Sequence, residues 1–121
     1  MTVDWYTRTG NNEQSSGLFL NAMADPEALS PEQWFQFVMH THGLMLAYQN
    51  SFYLVGEGTL DPEVQRSMTE AMLAVKAQPG FVRYWEQRRD IFFPEFRLYV
   101  DSIFASDREH SEGVYRPVGP E

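Results

Sequence analysis

Cysteine is absent from the 121 residues, which removes disulfides, thiolate catalysis and cysteine-built zinc or iron–sulfur sites. Only histidine and carboxylate side chains remain as metal ligands. Lysine is nearly absent as well: Lys76 is the single one, and nine basic residues stand against 17 acidic ones, for a net charge of −8. That balance excludes nonspecific affinity for nucleic acid, which rests on neutralising phosphates with Lys and Arg, and it disfavours an anionic membrane surface. No apolar run approaches the ~18–20 residues of a membrane span, and the opening MTVDWYTRTGNNEQSSG lacks the apolar region of a signal peptide. A cytoplasmic protein without a membrane span is the expectation. Strand-length alternation of apolar and polar residues is also missing, so β structure is not expected.

The motifs of common enzymes are lacking too. Gly56-Glu57-Gly58 has no following Lys-Ser/Thr and reads as a helix end, not a phosphate loop. Glu109 and His110 are adjacent, so the Glu-x-x-His signature of di-iron bundles does not occur. Nothing resembles a nucleophile elbow. No catalytic residue, cofactor or metal is therefore assigned.

Aromatics, by contrast, reach 15%, with nine Phe, six Tyr and three Trp, so large rings must carry much of the burial in one folded domain. The longest periodic stretch runs from Ser30 to Gly58. Ser30 can cap the free amides, Pro31 needs no N–H at the first helical position, and Gln33 can complete a capping box. On a wheel of 3.6 residues per turn, Trp34, Val38, Thr41, Met45, Tyr48, Phe52 and Val55 form one seam, widened by Phe37 and Leu44. A second stripe, Phe35, Met39, Leu46 and Tyr53, lies roughly 120° away, so the apolar arc spans about 200° against the ~100° of an ordinary surface helix. One side must be covered by the domain and the other by something else. A partner or a second copy is the expected cover.

Asp61-Pro62-Glu63 repeats the helix-start device and opens a helix with Val64, Met68, Ala71, Met72 and Val75 on its apolar face. Pro79-Gly80 breaks the chain, a third main helix follows from Phe81 to Phe92, and Phe93-Pro94-Glu95 starts a fourth. Phe93 is a poor cap and leaves amides for water or a distant side chain to satisfy. The expected architecture is all-α: a single-domain bundle of four main helices, about 31–56, 62–78, 81–92 and 94–105, with a short helical piece at 17–24. Residues 1–16 read as a loose polar arm in which Trp5 and Tyr6 dock, and 106–121 as a polar tail.

Two clusters bear on chemistry. His40 and His42 resemble a metal pair, but two residues apart on a helix they point about 160° from each other, whereas chelation from one helix uses i, i+4 spacing. His40 falls on the polar face and His42 between the two stripes, where a hydrogen bond should hold it. Gly43 cuts a notch in the same helix, open to close packing or simply tolerated. The basic charge is local: Arg83, Arg88, Arg89 and Arg97 fall in one segment, and Arg88 lies in the stripe of Phe81, Trp85 and Phe92. A guanidinium there needs an answer. Glu57 is the first candidate, with Glu86 and Asp90 serving Arg89, and Asp101 serving Arg97 at i, i+4. Arg88, Trp85, His42 and Arg89 are accordingly candidate ligand-binding residues.

The segments DPEALSPEQ (25–33), YQNSFYLVGEGTLDPE (48–63) and PGFVRYWEQRRDIFFPEFRLYVDSI (79–103) together resemble a family of uncharacterised bacterial helical domains. Its pattern runs Gly-x-Leu-Asp, Pro-Gly-Phe, Trp, Arg-Arg, Phe-x-Pro-Glu-Phe. The resemblance implies an all-helical domain with no established activity, often placed after transmembrane helices, and by analogy a membrane-proximal sensing role. This chain has a short polar arm in that place, and Phe93 where a Ser cap is expected. Three functions follow as expectations: a self-associating interaction or regulatory module using Phe35, Met39, Leu46 and Tyr53; a small-molecule domain or unusual enzyme receiving an anion at Arg88; and an acidic inhibitor of a basic, nucleic-acid-handling protein.

Overall fold

Proline opens four of the five α-helices found in the computed structural model, which describes residues 13–108, with side chains from 17 onward. The order is α1 (Glu13–Ala24), a 3-10 turn (Pro26–Ala28), α2 (Pro31–Gly56), α3 (Pro62–Leu73), α4 (Pro79–Arg88), a second 3-10 turn (Arg89–Ile91) and α5 (Pro94–Ala105). Among these residues there is no strand, and the architecture is all-α. The expectations for Trp5, Tyr6 and the tail beyond Arg108 lie outside the described residues.

The capping chemistry explains which boundaries are sharp. The Ser30 hydroxyl accepts from the Gln33 amide while the Gln33 side chain accepts from the Ser30 amide, closing the expected box. Asp61 accepts from the Glu63 amide and fixes the start of α3. Gly58, at φ +81°, turns the chain out of α2 in a conformation that disfavours a side chain.

Four boundaries differ from expectation. α1 begins at Glu13, so the polar Gln14-Ser15-Ser16 run is helical. α3 ends at Leu73, because Val75 and Gln78 donate to carbonyls three residues back and tighten the chain before Pro79. Pro79-Gly80 is a helix start and not a break: Gln78 is extended, as a residue before proline prefers, and Pro79 takes the first helical position. At its far end α4 stops at Arg88, and the 3-10 turn re-aims Phe92 into the core.

Gly80 is buried against α1. A Cβ there would stand 1.9 Å from the Ala22 carbonyl oxygen and 2.8 Å from Met23 Cα, so only glycine allows α4 to approach α1 this closely. Gly43, in the middle of α2, has nothing within 4 Å of an added Cβ. Among the described residues no helix fills the notch.

The core is aromatic, as the composition requires. Phe37, Tyr84 and Phe96 are fully buried with Met45, Met72, Val38 and Val100. Phe52 stacks on Tyr99 at 4.9 Å and meets Phe96 edge-on, while Phe92 packs on Trp85 and Phe96. α2 is central, lying against α1 and α3, with α4 on α1 and α5 on α3. Two further links close the bundle: Thr69 to the Tyr99 hydroxyl between α3 and α5, and Trp34 to Gln87 between α2 and α4. Past α5, Lys76 bonds the Ser106 carbonyl and Glu70 pairs with Arg108, tying the chain to the region of α3.

Candidate functional site

The middle of α2 meets the end of α4 and the turn into α5, and this seam gathers the polar groups that the sequence singles out. His42 is half-buried, with Nδ1 3.2 Å from the Tyr84 hydroxyl and its ring against Phe92. Burial, and secondly the nearby Arg88 charge, hold the imidazole below its usual value. Burial pushes the Tyr84 phenol far above its usual value, against a smaller opposing pull from Arg88. Both partners are therefore neutral near pH 7, and the bond joins α2 to α4 without charge.

Arg88 is half-buried at the last position of α4, where the partial negative charge of the helix end favours a cation. Among the described residues it forms no ion pair. The expected partner Glu57 is exposed at the end of α2 and is not paired with it.

The other expected pairings are exchanged. Arg89 pairs with Asp101 at 2.5 Å and only weakly with Asp90, while Arg97 approaches Asp90 at 3.7 Å and not Asp101. Arg97 and Asp101 share the unbroken α5 at i, i+4, but Asp101 is taken by Arg89, which lies in the 3-10 turn where α4 has ended. Asp101 also accepts the Trp85 indole N–H at 2.7 Å. Burial raises the Asp101 carboxyl, but the bonds from Arg89 and Trp85 with the charges of Arg89 and Arg97 outweigh it, and the group lies below its usual value. The four candidate ligand residues thus form two clusters, His42 with Arg88 and Trp85 with Arg89, and Phe92 packs against both His42 and Trp85.

Gln49 is a structural residue that the sequence reading missed, and Asp101, expected to serve Arg97, instead holds Arg89 and Trp85. Gln49 Oε1 accepts the Phe93 amide at 2.8 Å, across 44 positions, and answers the uncapped start of α5. The clue was the poor cap itself, since Gln49 lies on the same side of the wheel as Tyr53.

The second stripe divides. Phe35, Met39 and Leu46 are 57%, 43% and 43% exposed. Tyr53 is not part of that open face: it is half-buried, edge-on to Phe52 and Phe93. Phe93, whose ring meets Tyr53, is 58% exposed at the start of α5, and Ile91 two residues before it is exposed too. From Gln33 through Gly56 there is no Asp, Glu, Lys or Arg. In a chain of net charge −8, that is a long stretch without a carboxylate.

Among the described residues no group of three or more His, Asp or Glu could hold a metal ion, and no helix is long and apolar enough to cross a membrane. No protein-family model, curated protein or solved structure matches the chain.

Proposed function

We propose that the protein is a helical interaction module that associates with a second copy of itself through the exposed face of α2. The observation that carries this reading is the exposure of Phe35, Met39 and Leu46 on a face that has no Asp, Glu, Lys or Arg beyond the first turn of α2, with Phe93 and Ile91 also exposed at the start of α5. Contiguous apolar surface on an acidic chain is where like-charged copies can meet without opposing carboxylates.

The magnitude sets the experiment. Burying the exposed half of these five side chains gives about 1 kcal/mol each, or ~10 kcal/mol over two copies. Lost translational and rotational freedom costs at least ~4 kcal/mol, leaving a reversible equilibrium in the range of tens of micromolar or weaker. Sedimentation of the wild type from low to several hundred micromolar should show mass rising towards a dimer. Leu46→Glu places a carboxylate in the contact and should remain a monomer throughout.

Arg88 supports a second reading, in which an anionic ligand is received beside His42. A thermal-shift series with inorganic phosphate and simple carboxylates, using Arg88→Ala as control, tests it, since a ligand of the native state raises its apparent stability. No shift in the wild type, or an equal shift in the variant, refutes it.

A further inference from the structure

Resting on the reading of self-association, we infer that α2 of one copy crosses α2 of the second antiparallel, with the two chains in closest approach at Gly43. The exposed positions of α2 between its first turn and its end are Phe35, Gln36, Met39, Gly43, Leu46 and Asn50; from Gln36 onward the spacings alternate three and four, and Phe35 lies within the same ~100° arc. About a dyad between His42 and Gly43 the face is self-complementary. Met39 lies opposite the partner copy's Leu46, and Phe35 lies level with its Asn50. Met39 and Leu46 thus meet each other and not themselves, and the residue without a side chain stands at the centre.

Gly43 is otherwise unexplained. In a helix interior glycine is less favourable than alanine by about 0.5–1 kcal/mol, and among the described residues no neighbour needs the space, since nothing lies within 4 Å of an added Cβ. Gly80 shows the contrast: its backbone contact lies inside the domain. An open notch flanked by Met39 and Leu46 admits a second backbone, and close helix crossings are made at such positions.

Charge decides the direction. Glu32 is exposed in the first turn of α2 and lies on the same face as Met39 and Asn50. A parallel pair in register would set Glu32 beside Glu32, a like-charge contact that disfavours association. In the antiparallel pair Glu32 lies level with the partner's Tyr53 and not with another carboxylate. The helix dipoles also oppose each other favourably in that arrangement.

The chain has no cysteine, so introduced thiols report unambiguously. Met39→Cys and Leu46→Cys proteins, mixed and oxidised at high concentration, should give the mixed disulfide in preference to either homodimer. Seven residues offset each homotypic pair by ~10 Å along the axis, beyond the ~7 Å that a disulfide spans between Cα atoms. Gly43→Leu, which has room within the monomer, should keep the helical circular dichroism and cooperative melting of the wild type while weakening association about tenfold or more. Homotypic disulfides at both positions, or undiminished association of Gly43→Leu, overturn the antiparallel crossing and leave self-association standing. A wild type that stays monomeric at several hundred micromolar overturns both.

Discussion

Replacing Gly80 by alanine adds one methyl group at the tightest helix contact in the domain. The new carbon would lie 1.9 Å from the Ala22 carbonyl oxygen, 2.7 Å from its carbonyl carbon and 2.8 Å from Met23 Cα. All three are backbone atoms, so no side-chain rotation relieves the overlap, and α1 must move away from α4. Ala22 and Met23 are buried, and their movement opens the core on that side. Overpacking of this kind costs about 1–3 kcal/mol or more, against a gain in helix propensity of at most ~1 kcal/mol, smaller still in the first turn of a helix. The net loss should be about 1–3 kcal/mol, lowering Tm by roughly 5–15 °C in a domain of this size. Gly43→Ala is the matched control. The same change where nothing lies within 4 Å should stabilise the dilute monomer by about 0.5–1 kcal/mol. Urea and thermal unfolding at low concentration read both. A Gly80→Ala protein as stable as the wild type would refute the close approach of α1 and α4.

Three further outcomes test the seam and its neighbours. Asp101→Ala leaves the indole N–H of buried Trp85 without its acceptor and should cost about 1–3 kcal/mol, with altered tryptophan fluorescence in the folded state; Asp101→Asn, which keeps an acceptor and loses only a partly exposed ion pair, should cost less than ~1 kcal/mol. Gln49→Ala removes the acceptor of the Phe93 amide and should cost about 1 kcal/mol, with faster amide hydrogen exchange at the start of α5. His42 gives a pH dependence. Its folded value lies below the usual 6.5, so the unfolded chain binds the proton first, and stability falls as pH drops through that value towards the folded one. Between about pH 7.5 and 5.5 the wild type should therefore lose more stability than His42→Asn, as measured by urea titration; equal losses would refute the assignment.

What could be read from the chain alone followed the range of the interaction. The bounds of α2 and α5 were legible because Ser30-Pro31 and Pro94 act within a few residues of themselves. Pro79-Gly80 was misread because its glycine answers to Ala22, far away in sequence, while its proline follows the local rule seen at Pro31, Pro62 and Pro94. The ion pairs failed for a related reason: the 3-10 turn after Arg88 changes which carboxylate Arg89 reaches, and no periodicity announces it. His42 was legible as a hydrogen-bonded residue between the stripes, but its partner Tyr84 depends on how α2 and α4 pack. The exposed stripe was visible in the wheel except at Tyr53, which Phe93 draws into the domain.

Sedimentation equilibrium of the wild type beside Leu46→Glu measures most directly whether the exposed face of α2 is an interface. The expected result is mass rising with concentration towards twice the 14.1 kDa of the chain for the wild type and constant monomer mass for Leu46→Glu. Constant monomer mass for both, or a dimer that Leu46→Glu leaves intact, would contradict it.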